Sequence, residues 1–423
     1  MTSEQHDQKE THNERQALTG LRILDFTQVL AGPFATQQLA QIGAQVIKIE
    51  QPVTGDMTRG LMSASSDGMS PSFLTCNLGK RSLAIDLKHP KAKEVIFKLV
   101  SQADALVENF KPGTIARLGF GYEAIKAVKP DIVYASISGF GQEGPRASQP
   151  AFDGAIQAFS GMMSISGHPE TGPARSGYFS VDMSTALNAA FYITAALFRR
   201  HVTGEGQRID ISMLDTAMMM QAPQMTAYTV NGVLPELLGN QSPTKQPTSN
   251  VFKSADGYVQ IIAMKEPQVE KLFKVLGHEG AYAKYADPST RLKCTDEINA
   301  LLHPIIAGQT TAHWLTVFNE AGLPVSSIQN LAEVAAEAQF DHRLTFTEID
   351  RPGDQKGQER PNGKDEKDGK DKVRVVSASH VAHPAPPTVQ SPPPTLGADT
   401  KDILLELGYS EGDIQTMQSE QLI

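Results

Sequence analysis

Short apolar runs and helical spacings of apolar residues alternate along the first part of the chain. The runs Leu21–Phe26 and Gln45–Glu50 each predict a buried strand. Between them, Pro33 suits the first turn of a helix, where its missing N–H needs no partner, and Gly43 ends that helix. A strand, a helix and a second strand within about thirty residues form a βαβ unit, so the pattern predicts a parallel sheet.

The same alternation continues beyond this unit. Three further strands and two helices are predicted, at Ser82–Leu87, Lys91–Gln102, Ala105–Glu108, Glu123–Val128 and Ile132–Ile137. This order is typical of a doubly wound α/β fold, in which ligands bind outside the carboxyl ends of the strands. Binding residues are therefore expected in the turns that follow the strands.

One acidic side chain, Asp182, lies between a small-residue loop and a long apolar helix. From Met183 apolar residues recur at steps of three and four, and the helix is predicted to end at Thr203, before Gly204. Asp182 is thus expected beside the helix N-terminus, where free N–H groups and the dipole favour an ionised carboxylate. It can serve as the N-cap or, with Gly177 leaving room for a large electrophile, as a carboxylate nucleophile. The local sequence leaves both interpretations open.

The composition of the 423-residue chain indicates a soluble globular protein of about two domains. No uncharged apolar run reaches the length of a membrane span. The 47 acidic and 38 basic residues give a net charge of −9, which argues against nucleic acid or an anionic membrane as a partner. Two cysteines, Cys76 and Cys294, provide neither a disulfide framework nor a metal cluster, and this usage favours the cytoplasm.

Breaks in the pattern divide the chain into segments. Residues 1–17 are polar and are predicted to be a disordered tail, not a signal peptide. Residues 18–225 are expected to form the amino-terminal part of a large domain, and residues 226–340 a linker and a smaller domain. Residues 341–423 follow, and within them 351–372, dense in both charge signs, is predicted to be a disordered surface insertion.

The glycine pattern argues against a dinucleotide site. Glu50 ends the second strand, as an acidic residue does in NAD-binding folds, but the first turn contains Gly32 alone. Glycines with the Gly-x-Gly-x-x-Gly spacing of dinucleotide-binding folds do occur at residues 139–144, but Pro145 and a polar loop follow them instead of a helix. These glycines are therefore interpreted as a turn.

A series of motifs, in order along the chain, carries a family resemblance. The motifs are Leu18–Thr27, Val29–Pro33, Gly43–Glu50, Gly55–Arg59, Gly79–Ser82, Val107–Gly113, Gly139–Gln142, Thr203–Gln207 and Pro394–Gly397. Together they resemble the class III CoA-transferase family, of the formyl-CoA transferase type. The resemblance extends from about Leu18 to the end of the chain, apart from the charged insertion.

The resemblance implies an α/β fold with a Rossmann-like large domain built on a parallel sheet, a smaller α+β domain, and a C-terminal segment that returns to the large domain. It implies a homodimer in which two chains interlock as rings, with the acyl-CoA site near the subunit contact. The implied activity moves CoA from an acyl-CoA thioester to a free carboxylic acid. CoA and acyl-CoA are then substrates, and no tightly bound cofactor or metal is implied.

The resemblance also implies which residues form the site. The catalytic aspartate of the family corresponds to Asp182, which favours the nucleophile, passing through an acyl-aspartyl anhydride and an aspartyl-CoA thioester. The CoA-contacting positions correspond to Val29, Ala31, Ile85, Lys88, Asn109, Phe110, Lys111, Arg117 and Phe152. Lys88 and Arg117 suit the phosphates of CoA, and Phe110 or Ile85 suits the adenine, although either apolar residue also suits the core.

Departures from the formyl-CoA transferases leave the acyl groups open. Leu30 stands in place of a substrate-binding glutamine, Gln51 in place of an arginine that contacts CoA, and the glycine-dense loop has no counterpart between Gly239 and Asp256. Two other functions stay open: a 2-methylacyl-CoA racemase of the same fold and a non-catalytic acyl-CoA-binding protein. A racemase needs a His–Asp acid/base pair, and the run 151–153, Ala-Phe-Asp, contains no histidine.

Overall fold

The computed structural model describes residues 15–61, 69–350, 372–377 and 379–423. Contacts divide the chain into two compact units. The first unit is Met1–Ser160, Gly177–Met225 and Ala338–Ile423, and the second is Gly161–Ser176 and Thr226–Glu337.

The strands, in chain order, are β1 Arg22–Asp25, β2 Gln45–Glu50, β3 Lys80–Ala84, β4 Ala105–Glu108, β5 Val133–Ser138, β6 Gly167–His168, β7 Gly172–Pro173, β8 Gln207–Ser212, β9 Ser249–Lys253, β10 Tyr258–Ile262, β11 Val325–Ser327, β12 Phe346–Asp350 and β13 Lys372–Val376.

The α-helices, in chain order, are α1 Ala31–Gln41, α2 Pro71–Cys76, α3 Ala92–Ser101, α4 Thr114–Arg117, α5 Tyr122–Val128, α6 Asp153–Phe159, α7 Ser180–Thr203, α8 Met213–Met220, α9 Ala222–Asn231, α10 Glu266–Val275, α11 Glu279–Tyr285, α12 Pro288–Lys293, α13 Thr295–Ala307, α14 Thr311–Glu320, α15 Leu331–Ala335, α16 Ala338–His342, α17 Thr400–Glu406 and α18 Glu411–Ser419. Two 3₁₀ turns lie at Met57–Gly60 and Met162–Ile165.

The first unit is built on a six-stranded sheet in the order β3–β2–β1–β4–β5–β8, and every neighbouring pair is parallel. The chain leaves β1 first to one side and then to the other, so the order reverses between β1 and β4. This is the switch point at which doubly wound folds bind ligands, beyond the carboxyl ends of the strands. The predicted α/β fold with a Rossmann-like parallel sheet is confirmed.

Apolar residues on the two faces of this sheet are covered by different helices. On one face α1 packs beside α7, and both contribute small side chains such as Ala35 and Ala189, which let the helices approach closely. On the other face α3 and α5 pack together with Ile403 and Leu404 of the C-terminal helix α17. Residues such as Leu24 and Val107 are wholly buried between these layers.

The C-terminal part of the chain lies against strand β3. The backbone N–H of Asp399 donates to the Ser82 carbonyl oxygen at 3.1 Å, and the Thr400 hydroxyl accepts from the Ala84 N–H at 3.0 Å. The residues predicted as a charged insertion, 351–372, fall between the paired strands β12 and β13. Of these, 351–371 lie outside the described residues, and Lys372 is the first residue of β13.

The second unit has its own core. The antiparallel sheet β11–β10–β9 packs against α10, α13 and α14 through residues such as Phe252, Phe273 and Trp314, all of them buried. The indole N–H of Trp314 donates to the Ile306 carbonyl oxygen at 2.7 Å, so its polar atom is satisfied inside the core. The short hairpin β6–β7 belongs to this unit as well.

Helix α7 is apolar on its exposed side as well as on its buried side. By length and composition it is the one described helix that qualifies as a membrane span, and 39% of its apolar window is buried within the chain. Its exposed apolar side chains are Leu187, Phe191, Tyr192, Phe198 and Val202. A core helix that another protein surface covers meets the same criterion.

Candidate active site

Asp182 lies in the first turn of α7. The helix begins at Ser180, and the preceding residue, Phe179, makes no side-chain hydrogen bond to the exposed N–H groups. The Asp182 carboxyl is half-buried, and it is the acidic residue of that turn. The helix then runs to Thr203 and ends on Gly204, which is left-handed with φ 73°. The predicted helix and its end are confirmed.

Asp153, not Asp182, caps this helix. One Asp153 carboxylate oxygen, Oδ2, accepts hydrogen bonds from the backbone N–H groups of Val181 at 2.8 Å and of Asp182 at 3.1 Å. The other oxygen accepts from the Gln157 side-chain amide at 2.6 Å. Because Asp153 takes over the N–H groups that an N-cap would satisfy, the N-cap interpretation of Asp182 is wrong.

The surroundings of Asp182 favour its neutral form. Burial raises the pKa of the Asp182 carboxyl to about 7, and the negative charge of Asp153 adds to the rise. The helix N-terminus was expected to favour the ionised form of Asp182, but Asp153 occupies the N–H groups and brings a like charge, and both effects oppose ionisation. A carboxyl with this pKa exists in both protonation states at neutral pH, as reactive groups in active sites often do.

The turn after β1 lies at the switch point of the sheet. Two of the predicted CoA-contacting residues, Val29 and Asn109, meet there. The Asn109 side chain accepts from the Gln28 N–H at 2.9 Å and donates to the Gln28 carbonyl oxygen at 2.7 Å. The Val29 N–H donates to Asp56 at 3.2 Å, and a third predicted residue, Ala31, is the first of α1. The carboxyl ends of β1 and β4 thus bring these three residues together.

Phe110 follows Asn109 and packs partly buried against the apolar core. Its backbone N–H donates to the Glu108 carboxylate at 2.9 Å, which fixes the start of the loop beyond β4. Burial raises the pKa of Glu108 to about 6. Lys111 lies farther along this loop, and Arg117 is the last residue of α4; both are exposed, and Arg117 donates to the Thr114 hydroxyl at 2.8 Å.

The remaining predicted CoA contacts lie in different surroundings. Ile85, just beyond β3, has a fully buried side chain in the apolar core, so of its two suggested roles the structure shows the core one. Lys88 is exposed, and its backbone N–H donates to Asp86 at 3.0 Å. Phe152 is 67% exposed and immediately precedes Asp153.

Several ion pairs are buried beneath the turn after β1, and sequence reasoning missed them. They are Lys80 with Asp25 at 2.8 Å, Lys48 with Asp56 at 2.8 Å, and Arg59 with Glu50 at 2.7 Å. Burial raises the pKa of the nearby Cys76 thiol to about 12, and the charges of Asp56 and Asp182 add to the rise while Lys80 and Lys48 oppose it.

In NAD-binding folds the acidic residue at the end of the second strand binds the ribose, but both carboxylate oxygens of Glu50 are hydrogen-bonded within the protein. One of its oxygens accepts from the Asp56 N–H and the Arg59 side chain, and the other from Arg59 and the Ser82 hydroxyl. This occupancy agrees with the absence of a dinucleotide fingerprint in the first turn. Within the described ranges, no group of three or more histidine, cysteine, aspartate or glutamate side chains is arranged to hold a metal ion.

Comparison with known proteins identifies the family of this chain. Residues 18–400 match the sequence profile of CoA-transferase family III. The chain is 34% identical over 411 residues to the succinyl-CoA:glutarate CoA-transferase of Mus musculus, covering 95% of this chain and 88% of the mouse protein. It is 36% identical over 348 residues to the succinyl-CoA:mesaconate CoA-transferase of Haloarcula marismortui, covering 80% of this chain and 86% of the relative.

A solved structure matches over the same extent. The crystal structure of a CaiB/BaiF family protein from Brucella suis aligns with a TM-score of 0.81 and 30% identity, covering 93% of this chain and all of that one (100%). The family resemblance stated above is thereby confirmed. A family match that spans nearly the whole described fold, with relatives more than 30% identical, shows that this protein belongs to CoA-transferase family III and is a CoA-transferase.

Proposed function

We propose that Asp182 is the nucleophile and that CoA passes from donor to acceptor by way of this one side chain. One observation carries the proposal. The Asp182 carboxylate is half-buried at the start of α7, where Asp153, and not Asp182, accepts the hydrogen bonds of the capping N–H groups. Its raised pKa keeps it a better base, and so a better nucleophile, than a solvent-exposed carboxylate. The family aspartate falls on the same residue.

The reaction starts when the ionised Asp182 attacks the carbonyl carbon of an acyl-CoA thioester. The carbon–sulfur bond breaks, and an acyl-aspartyl anhydride and the CoA thiolate form. The thiolate then attacks the aspartyl carbonyl, which releases the donor carboxylate and leaves an aspartyl-CoA thioester. Each step exchanges one acyl bond for another and one anion for another, so no oxidant, reductant or metal is needed.

The acceptor acid completes the cycle by the same steps in reverse order. Its carboxylate attacks the aspartyl thioester, which gives a second anhydride and the CoA thiolate. The thiolate attacks the acceptor's acyl carbon, and Asp182 is released as a carboxylate. Water would hydrolyse either anhydride, so a site that excludes water favours transfer over hydrolysis.

We assign CoA to the surface beyond the carboxyl ends of β1 and β4. Val29, Ala31, Asn109 and Phe110 meet or adjoin there, and Phe152 is exposed next to Asp153. Lys88, Lys111 and Arg117 are exposed cations that can pair with the phosphates. Ile85 is assigned to the supporting core, because its side chain has no exposed surface.

For the acyl groups we propose succinyl-CoA as the donor and a short dicarboxylic acid as the acceptor. Two relatives that are 34% and 36% identical are named for succinyl-CoA together with glutarate or mesaconate. A panel of mono- and dicarboxylic acids, incubated with succinyl-CoA and followed by mass spectrometry of the CoA thioesters, tests this choice. Exchange confined to monocarboxylic acids would contradict it.

Trapping the covalent intermediate tests the nucleophile. The protein is incubated with succinyl-CoA and hydroxylamine, digested, and examined by mass spectrometry for an aspartyl hydroxamate. We expect the modification at Asp182 in the wild type and none in Asp182→Ala, which should lose transfer and still bind CoA. A racemase or a binding protein would give no hydroxamate, and transfer at the normal rate by Asp182→Ala would rule out this nucleophile.

We also propose that the protein is a cytoplasmic homodimer whose chains interlock, with no nucleic acid or membrane partner. The exposed apolar face of α7, which includes Phe191 at 64% and Phe198 at 69% exposure, supports a protein surface as its cover. The net charge of −9 and the two cysteines agree with the cytoplasm. The predicted domain limits at residues 225 and 340 stay part of the same proposal. Of the predicted tail 1–17, residues 1–14 lie outside the described residues, whereas the Gln16 side-chain amide donates to the Gln41 carbonyl oxygen at 3.0 Å.

A further inference from the structure

The turn after β1 contains a strained residue. Val29 adopts φ 71°, in the left-handed region, where a β-branched side chain is a genuine outlier. Such a conformation persists only where the surrounding structure holds it, and outliers of this kind concentrate at functional sites. The neighbours of Val29 show what holds it.

Asp56 holds the Val29 backbone. Its Oδ1 atom accepts from the Val29 N–H at 3.2 Å and from the Thr58 N–H at 2.9 Å. Its Oδ2 atom lies 2.8 Å from the Lys48 ammonium, and both charged side chains are fully buried. The same ammonium donates to the Thr27 carbonyl oxygen at 2.8 Å. The Lys48–Asp56 pair therefore binds the backbone on both sides of Gln28.

The Lys48–Asp56 pair is itself held in place by contacts within residues 50–59. The Asp56 N–H donates to Glu50 at 3.0 Å, and Glu50 also binds Arg59 through two hydrogen bonds. Gly55 has φ 61°, and a Cβ there would lie 2.8 Å from the Arg59 side chain, so only glycine fits. This arrangement gives the polar residues of the motif Gly55–Arg59 a role: Thr58 binds Asp56 directly, and Arg59 binds Glu50, which in turn accepts from the Asp56 N–H.

We propose that Lys48 and Asp56 are positioning residues, which hold Val29 in its left-handed conformation so that the turn is preformed for CoA. The inference rests on the proposed function, because it takes this turn as part of the CoA site. A buried ion pair loses most of its attraction to the cost of removing both charges from water, so it adds little net stability. Such a pair can instead preorganise a binding turn. A turn that is already ordered loses less conformational entropy when the ligand binds.

Two double variants separate the hydrogen bond to Val29 from the ion pair. Lys48→Met with Asp56→Asn removes both charges and keeps a side-chain oxygen for the Val29 N–H. Lys48→Met with Asp56→Leu removes the charges and the oxygen, with a side chain of similar shape. We expect the Leu variant to bind CoA about tenfold more weakly than the Asn variant by calorimetry, because the N–H groups of Val29 and Thr58 both lose their acceptor and the turn is no longer held.

A rescue experiment distinguishes positioning from general stability. Without the Asp56 oxygen, Val29 is expected to relax from its strained conformation, whereas glycine occupies the left-handed region at no steric cost. Adding Val29→Gly to the Leu variant should therefore recover several-fold of the lost affinity for CoA. If the Leu variant binds CoA as tightly as the Asn variant, or Val29→Gly restores nothing, the positioning role is overturned.

A measurement on the unaltered protein covers the case in which the Leu variant does not fold. We expect the Val29 amide to be protected from hydrogen exchange in the CoA-free protein, and CoA to add little protection. Free exchange of that amide before CoA is added contradicts the proposal. Failure of the wild type to bind CoA at all would instead contradict the proposed function, so the two failures are distinguishable.

Discussion

The Asp153 carboxylate lies 3.1 Å from the backbone nitrogen of Asp182, the residue we propose as the nucleophile. This contact binds the start of α6 to the first turn of α7, and the same oxygen also accepts from the Val181 N–H. One acidic side chain thus fixes where the reacting carboxylate stands and, through its charge, helps to set the pKa of that carboxylate.

The raised pKa of Asp182 predicts that its charge destabilises the fold at high pH. An acid with a folded pKa of about 7 retains a proton that the unfolded chain has lost above about pH 4, so the stability falls as the pH rises towards 7. Asp182→Asn removes this effect. The free energy of unfolding of Asp182→Asn should exceed that of the wild type, and this excess should be about 2 kcal/mol larger at about pH 8 than at about pH 5.5.

Urea unfolding at both pH values, at one fixed protein concentration, measures this difference. The concentration is kept constant because association shifts the apparent stability. Asp215→Asn, a change in the first turn of the next helix, serves as the control, since its charge makes no contribution to the pKa of Asp182. A gain for Asp182→Asn that is the same at both pH values contradicts the prediction.

Asp153 is expected to shape the pH dependence of catalysis. The ionised form of Asp182 is the nucleophile, so kcat/KM should rise with pH up to about 7 and then level off. Asp153→Asn keeps an oxygen for the N–H groups of Val181 and Asp182 but removes the negative charge. The midpoint of the rise should then move to lower pH, while burial still holds it above that of an exposed aspartate.

Initial rates of CoA transfer across the pH range give both profiles. Asp153→Ala is the companion variant, because it removes the charge and the cap together and should also cost about 1 kcal/mol of stability. A profile for Asp153→Asn that coincides with the wild type would show that the Asp153 charge has no part in the titration.

Local patterns predict most of the sheet but not its buried charges. Strands β2 and β4 have the predicted limits, because their apolar runs are bounded by polar residues and turns. The prediction for β3 begins at Ser82, whereas the strand begins at Lys80. The local sequence does not distinguish a lysine that is fully buried against Asp25 from a solvent-exposed lysine, because the difference arises only in the tertiary fold.

The site shows the same limit. Helical spacing places Asp182 at the start of α7, but the residue that caps the helix, Asp153, comes from another helix far back in the chain. The signal that was available is the acidic first residue of α6, which follows Phe152 directly. A contact between helix ends depends on the path of the intervening loop and hairpin, which no periodicity in the sequence specifies.

The buried pair of Lys80 and Asp25 makes a prediction about stability. Lys80 donates to Asp25, to the Pro33 carbonyl oxygen and to Asn77, all within 3.0 Å. Lys80→Met leaves the Asp25 charge buried without its partner and should lower the free energy of unfolding by about 3–5 kcal/mol. Adding Asp25→Asn removes that charge and should recover more than half of the loss.

Denaturant unfolding of the wild type, the single variant and the double variant measures these values. The exposed pair of Lys401 and Glu411 offers a matched control, because Lys401→Met removes an ion pair that water screens and should leave the stability nearly unchanged. If the double variant is no more stable than Lys80→Met alone, the loss arises from packing and not from the unpaired charge.

The exposed apolar face of α7 makes the last prediction, which concerns assembly. Phe191 and Phe198 stand on the outer side of the helix, 64% and 69% exposed, while Ala189 and Ile193 on the inner side are wholly buried. A second copy of the chain that covers this face would remove both rings from water, which stabilises association by about 1.5–3 kcal/mol for each.

Phe191→Asp with Phe198→Asp should therefore convert a dimer into a monomer in light scattering after size exclusion. Val53→Asp replaces an apolar residue in the loop after β2 that is 94% exposed, and it should leave the dimer intact. A wild-type protein that is monomeric at micromolar concentration would contradict the proposal that the protein is a homodimer and that a second chain covers this face.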